Sequence, residues 1–182
     1  MITIASIQVG KSRTLGVANA PNVLDRAWTT GIHKEPVAGP VQVGFTNLAG
    51  DEQADLRVHG GPDKAILAYA ASHYPAWRSD LQMPELSYGA FGENLTITGV
   101  DESTVRIGDI WHVGTVRLQV SQPREPCWKL ARKLRRKDLP QRVVETGRGG
   151  WYLRVLHVGT LQAGDTFELI ERRHDDCHRT DE

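Results

Sequence analysis

Cysteine is scarce in this sequence: Cys127 and Cys177 are the two in 182 residues. Two thiols, one of them in a polar tail, make no disulfide framework and point to a reducing compartment. No apolar run approaches membrane-spanning length. The N-terminal segment Met1 to Val9 alternates apolar and polar residues, where a signal peptide would place a basic region followed by an apolar run. A cytoplasmic protein with no membrane partner is expected. Charge of one sign is lacking too, with 22 Lys and Arg against 22 Asp and Glu. Zero net charge excludes whole-molecule electrostatic binding of nucleic acid, so any basic site must be local. There is no phosphate-binding glycine loop, no dinucleotide glycine fingerprint, no zinc-ligand spacing and no ferredoxin-type cysteine pattern. His174, Cys177 and His178 are close in sequence but lie in the tail and are read as incidental.

What is present suits one soluble domain with a core of its own: 40% apolar and 24% charged residues over 182 positions. Alternating patterns predict strands at Ile2 to Val9, Val41 to Phe45 and Trp151 to Val158, and a hairpin of Val105 to Val113 with Val116 to Val120 around Gly114-Thr115. A last strand is predicted at Gly164 to Ile170. Ala65 to Tyr69 is an apolar run that fits strand or helix. The spacing predicts helices from His73 to Leu81, with Pro75 in the first turn, and from Leu139 to Glu145, capped by Asp138. Residues 12–30 read as loop, with a short helix near Val23 to Trp28. Gly-Asp recurs at 50–51, 108–109 and 164–165, the last two just before apolar strands. Glycine supplies the unusual backbone angle and aspartate bonds back to the turn, as a sheet curled into a barrel requires. Residues 171–182 form a charged tail expected to be disordered.

The chain is organised around Ser121-Gln-Pro-Arg-Glu-Pro-Cys-Trp-Lys-Leu130. Leu130, Ala131 and Leu134 fall at i+3, i+4 and i+7 from Cys127, one helical face. That places Cys127 in the first helical turn, with Arg124 and Lys129 close in sequence, a setting that favours the thiolate nucleophile or soft metal ligand. A small buried hydrophobe is the other reading of the same pattern. His59, with Asp55, Arg57, Asp63 and Lys64 around it, is a turn residue or part of a polar site. Asn94 is a turn residue or a site residue. Lys129, Arg132, Lys133, Arg135, Arg136 and Lys137 read mostly as a solvated helix face. Arg154, in an apolar strand, needs an anionic partner: a ligand phosphate, or a carboxylate such as Glu93.

At Lys34 to Val37, Gly50-Asp51, Asp55 to Ala65, Phe91 to Thr96, Ile107 to Asp109, Gln122 to Lys129 and Gly150 to Val155, the chain resembles the MOSC domain family, named for the C-terminal domain of molybdenum cofactor sulfurases. The likeness is to its bacterial stand-alone YiiM-like branch, and the motifs keep the family's order over about residues 31–170. The resemblance implies a mainly β fold with flanking helices (α+β), a distorted β-barrel, as a single domain over residues 1–170. It implies a molybdenum cofactor, a pterin-dithiolene (molybdopterin) with a phosphate tail, with Cys127 as the protein ligand to the metal. Lys34, His59, Lys64, Asn94, Arg124, Lys129 and Arg154 match positions implied to line the cofactor and substrate pocket. The domain family also has an association with pyridoxal phosphate. The implied activity is reduction of small N-hydroxylated compounds such as hydroxylaminopurine-type base analogues, with His59 or Asp55 supplying a proton and an external protein donating electrons. Longer relatives carry a small helical domain after the barrel where this chain has its polar tail. Two other classes stand beside the reductase: a carrier of persulfide sulfur or of the cofactor itself, and a nucleotide- or RNA-binding barrel, against which zero net charge and the lack of interleaved aromatics on the basic helix count.

Overall fold

The computed structural model describes residues 1–55 and 60–172. The strands are β1 (Thr3–Val9), β2 (Arg13–Leu15), β3 (Trp28–Thr30), β4 (Glu35–Pro36), β5 (Val41–Val43), β6 (Ile66–Ala70), β7 (Leu95–Thr98), β8 (Ile110–Val113), β9 (Val116–Pro123), β10 (Trp151–His157), β11 (Gly159–Leu161) and β12 (Glu168–Glu171). The helices are α1 (Tyr74–Asp80), α2 (Trp128–Leu134) and α3 (Leu139–Thr146). Eight strands make one curled sheet in the order β12-β8-β9-β10-β6-β7-β1-β4, and β11-β5 and β2-β3 are separate pairs. The fold is thus mainly β with a few flanking helices. No helix among the described residues is long and apolar enough to cross a membrane.

The inner face follows from alternation. Trp111 and Val113, then Val116, Leu118 and Val120, then Trp151, Leu153 and Val155 are buried, and the residues between them turn outward. With Ile4, Ile7, Ile66, Leu95 and Ile97 they form the core inside the curl. Strand β6 is buried at all five positions because both its faces are covered. Ile66, Ala68 and Ala70 join the inner core, while Tyr69 joins a second cluster with Tyr74, Trp77, Phe91, Leu130, Leu139 and Val143 beneath the helices. That double burial is why its sequence showed no period. It pairs in parallel with β7, and the connection carries α1 across the sheet.

Three Gly-Asp turns shape the ends. Gly108 and Gly164 have φ of 93° and 94°. The Asp109 carboxylate accepts the Arg106 amide at 3.0 Å and that of Asp165 accepts the Gln162 amide at 2.8 Å, the predicted bond back into the turn. After Gly164 the chain lies along β1 before entering β12, with Ile4 N donating to Asp165 O at 3.0 Å and Phe167 N to Ile2 O at 2.9 Å. This link bends one end of the sheet back toward the other. It also shifts the start of the last strand from Gly164 to Glu168. At Gly114 (φ 57°) a Cβ would meet Thr160 O at 2.4 Å, so glycine alone fits the β8–β9 turn.

Several expectations change. Residues 12–30 hold the hairpin β2–β3, Arg13 opposite Thr30 and Leu15 opposite Trp28. The helix expected at 23–28 is a three-residue turn, Val23–Asp25, capped by the Asn22 side chain on Leu24 N at 3.0 Å. Trp28 leaves it because its ring is buried from β3. Asp138 stands at the start of α3 without a side-chain cap bond. Strand β5 falls within the predicted Val41 to Phe45, and β11, whose three residues gave no period to read, pairs with it. Glu171 ends β12 and Arg172 binds the Asp109 carboxylate, so both belong to the fold rather than to the tail. The remaining tail, with Cys177, and His59 with its neighbours 56–58 lie outside the described residues.

Candidate functional site

The segment between β9 and α2 runs along one wall of a cleft of about 630 Å3, open mouth included. Its other walls come from residues 30–32, 51–54 and 91–92, and from Lys34, Gly60, Lys64, Leu67, Asn94 and Tyr152.

Cys127 is the residue that precedes α2, extended at φ −113° and ψ 166°, rather than a member of the first turn. Its carbonyl takes the first bond of the helix, from Leu130 N at 3.1 Å. Its side chain makes no cap bond and its thiol is free, half-buried, on the cleft wall. Leu130 and Ala131 are buried as the spacing predicted, so the apolar face exists and Cys127 stands off it.

Arg124 is 7% exposed. Its Nη2 donates to Phe91 O at 3.1 Å and Nη1 to Gly149 O at 3.5 Å. Among the described residues no carboxylate pairs with it. A buried guanidinium held by carbonyls alone keeps a full positive charge facing the cleft it lines, which is the arrangement of an anion site. The backbone supports it, since Arg124 N donates to Gly150 O at 3.0 Å. Gly150 has φ 82°, and a Cβ there would meet Ala68 O at 2.5 Å. Lys129, half-buried, also lines the cleft without a carboxylate partner among the described residues.

On the opposite wall Lys34, Asp51 and Asn94 form a chain. The Lys34 ammonium donates to Asp51 Oδ1, which also accepts Gly10 N at 2.9 Å. Asn94 Nδ2 donates to Asp51 Oδ2 at 2.9 Å and to Gln8 O at 3.3 Å, and its Oδ1 accepts Leu67 N at 3.0 Å. Burial pushes the Lys34 pKa down, opposed by the charge of Asp51. Asn94 is thus the knot that ties β1, β6 and the entry to β7 at the floor of the cleft. Glu93, next to it, accepts from the Tyr74 hydroxyl, Gly89 N at 2.7 Å, Phe91 N at 3.1 Å and Thr96 Oγ1 at 3.0 Å. That buried carboxylate shapes the turn carrying Phe91, which lies parallel to Tyr69 with centroids 4.8 Å apart.

Arg154 is not on the cleft wall. Its Nε donates to Asp63 Oδ1 at 2.6 Å and Nη1 to Gln119 Oε1 at 2.8 Å. The anionic partner it needed is Asp63, not Glu93, which is spent inside the second core. Asp63 belongs to the turn Pro62–Lys64, so the pair pins that turn to β10 and places the Lys64 Nζ 5.8 Å from the Tyr152 ring. Asp55 is half-buried, one residue beyond the cleft-lining Ala54. The structure therefore brings together Lys34, Lys64, Asn94, Arg124, Cys127 and Lys129 and leaves Arg154 behind them.

Sequence reasoning missed Asp51 and Tyr152. Of the three Gly-Asp pairs, 50–51 was the one with no apolar strand following it, the available hint that its carboxylate serves another purpose. Tyr152 lines the cleft from β10, and its hydroxyl has no hydrogen-bond partner among the described residues. Burial pushes the Tyr152 pKa up, against the pull of Arg124 and with the charge of Cys127, so the phenol is protonated at neutral pH.

A profile of the MOSC domain matches residues 55–168. The uncharacterized protein YflK of Bacillus subtilis is 44% identical over 170 residues, which cover 93% of this chain and 74% of YflK. A protein of Gibberella moniliformis named reductase is 42% identical over 147 residues, 79% of this chain and 26% of that protein. The chain thus spans about a quarter of that relative's length. The crystal structure of YiiM from Geobacillus stearothermophilus superposes with a TM-score of 0.75 at 40% identity, covering 94% of this chain and 76% of that one. With that profile and those identities, the chain belongs to the MOSC domain family, as a YiiM-like member.

Proposed function

We propose that the protein is a molybdenum-cofactor-dependent reductase of small N-hydroxylated compounds, hydroxylaminopurine-type bases among them, and that Cys127 is the protein ligand to the metal. The observation that carries this reading is the pairing of a free cleft-facing thiol, Cys127, with a buried guanidinium, Arg124, that has no carboxylate partner among the described residues. The donor set suits the group. A soft thiolate matches molybdenum, and Arg124 and Lys129 match the phosphate tail of a pterin. The name of the Gibberella moniliformis relative agrees with reduction.

When bound, the cofactor supplies the two-electron chemistry that converts R–NHOH, two electrons and two protons into R–NH2 and water. The chain's own residues do the rest. Arg124 and Lys129 would hold the anionic tail, and Cys127 would fix the metal. A protonated Tyr152, on the cleft wall, donates to the substrate hydroxyl in this reading. His59 and Asp55 remain the candidates to replace the proton.

The test is turnover of 6-hydroxylaminopurine to adenine, driven by reduced methyl viologen, on protein made in a cofactor-producing host. Wild type should convert the substrate and Cys127→Ser should not. Molybdenum-loaded wild type that fails to turn over, with sulfane sulfur found on Cys127, would replace the reductase by a sulfur carrier.

A further inference from the structure

Trp128 follows Cys127 directly, and its side chain is 52% exposed. A large aromatic left half in water beside a site is what binding surfaces, not cores, retain. The Arg132 guanidinium lies 4.6 Å from its ring centre, and the Trp28 ring lies 5.6 Å away, tilted by 56°. Helix α2 packs on the turn Val23–Asp25, where Val23 is 44% exposed. Val17 is 67% exposed and bound to the same turn through its amide, on Asp25 O at 2.8 Å.

The rim of this patch is cationic. Arg26 and Arg132 have no carboxylate partner among the described residues; they bond to carbonyls, Ala20 O at 3.0 Å and Arg26 O at 2.9 Å respectively. The one acid in the turn, Asp25, is neutralised by Arg135. In a chain of zero net charge this is a local excess of positive charge around an exposed tryptophan.

We infer that this surface docks the electron donor, an acidic one-electron carrier protein. The inference rests on the reductase reading of the Cys127 cleft. Charge complementarity selects a carboxylate-rich partner, and the stacked tryptophan–arginine pair supplies the anchor such interfaces use. The position suits delivery, because the patch begins one residue from the cleft-facing thiol. Two successive one-electron transfers from the reduced carrier supply the electrons for one R–NHOH, and the two protons come from solvent through the cleft.

The experiment compares two donors on the cofactor-loaded protein: reduced methyl viologen, which needs no docking surface, and reduced flavodoxin as the acidic probe. Wild type, Trp128→Ala and Arg132→Glu are assayed with each, after their melting temperatures and molybdenum contents are matched to wild type. Viologen-driven rates should stay within about twofold. Flavodoxin-driven kcat/KM should fall about tenfold or more, and the steep salt dependence of the wild type should flatten in Arg132→Glu. Equal losses with both donors would place Trp128 in the chemistry of the cleft and overturn the docking role. No loss with flavodoxin, or a wild type that accepts viologen electrons but none from flavodoxin, would overturn it as well. A wild type inactive with both donors would instead remove the reductase reading on which the docking role depends.

Discussion

The ammonium of Lys34 rests on the carboxylate of Asp51, with side chains 8% and 1% exposed. A pair buried this deeply is worth little beside a well-packed apolar pair, but removing one partner alone is expensive. The two partners are not equivalent. Asp51 also holds Gly10 N and the Asn94 amide, whereas Lys34 loses its counter-ion outright. Asp51→Ala should therefore cost about 3–5 kcal/mol, and Lys34→Met distinctly less. Urea unfolding of both variants checks the order; a larger loss for Lys34→Met would show that the carboxylate is not the hub.

Lys133 gives the stability curve a feature at alkaline pH. Its Nζ donates to Ile32 O at 2.9 Å and Gly89 O at 2.5 Å. Burial drives its pKa down to about 8; Glu93 and Glu35 oppose this, and Lys34 and Arg124 add to it. From about 8 to the ordinary lysine value of 10.5 the folded protein has released a proton that the unfolded chain still binds. Unfolding then takes up a proton, so stability rises with pH across that window, by at most about 1.4 kcal/mol per unit. Lys133→Met should lose that rise, seen as a changing difference between the two proteins in pH-dependent chemical denaturation. A constant difference from pH 7 to 10.5 would contradict it.

Tyr152→Phe tests the unpartnered phenol. With no hydrogen bond to lose inside the described protein, the variant should melt within about 1 °C of wild type and keep its cofactor. Turnover of the N-hydroxylated substrate should fall by about tenfold, the value of one hydrogen bond made in the cleft. Steady-state kinetics beside a thermal melt separate this from a structural role, in which the melt would move and turnover would not.

Arg124 and Arg154 looked alike from the sequence and should behave differently. Arg124→Gln removes the charge facing the cleft and should weaken cofactor retention about ten- to hundredfold. Arg154→Gln breaks the link to Asp63 behind the wall and should leave retention close to wild type. Molybdenum content after exhaustive dialysis distinguishes them, and equal losses would put Arg154 back among the ligand-binding groups.

The difference between those arginines marks where sequence reading succeeds and stops. Alternation in strands such as β1, β9 and β10, the helical spacing of Leu130, Ala131 and Leu134, and the dense motif around Cys127 made about half of the strands and one wall of the cleft legible. Tertiary partners were not legible. Arg154 meets Asp63 because the turn Pro62–Lys64 folds onto β10, and Asp51 meets Lys34 and Asn94 because β1 and β7 run side by side. No local pattern encodes such meetings. Elements of three residues, such as β2, β3 and β11, are too short to show a period and take their shape from the strand they pair with.

Molybdenum and pterin content, measured by mass spectrometry on wild type and Cys127→Ser from the same cofactor-producing host, tests the central claim most directly. Near-stoichiometric metal and pterin in the wild type, with molybdenum lost from a folded Cys127→Ser protein, is the result expected of a thiolate ligand. Molybdenum retained in full by Cys127→Ser, or absent from both proteins while a control molybdoenzyme from the same host is loaded, would contradict it.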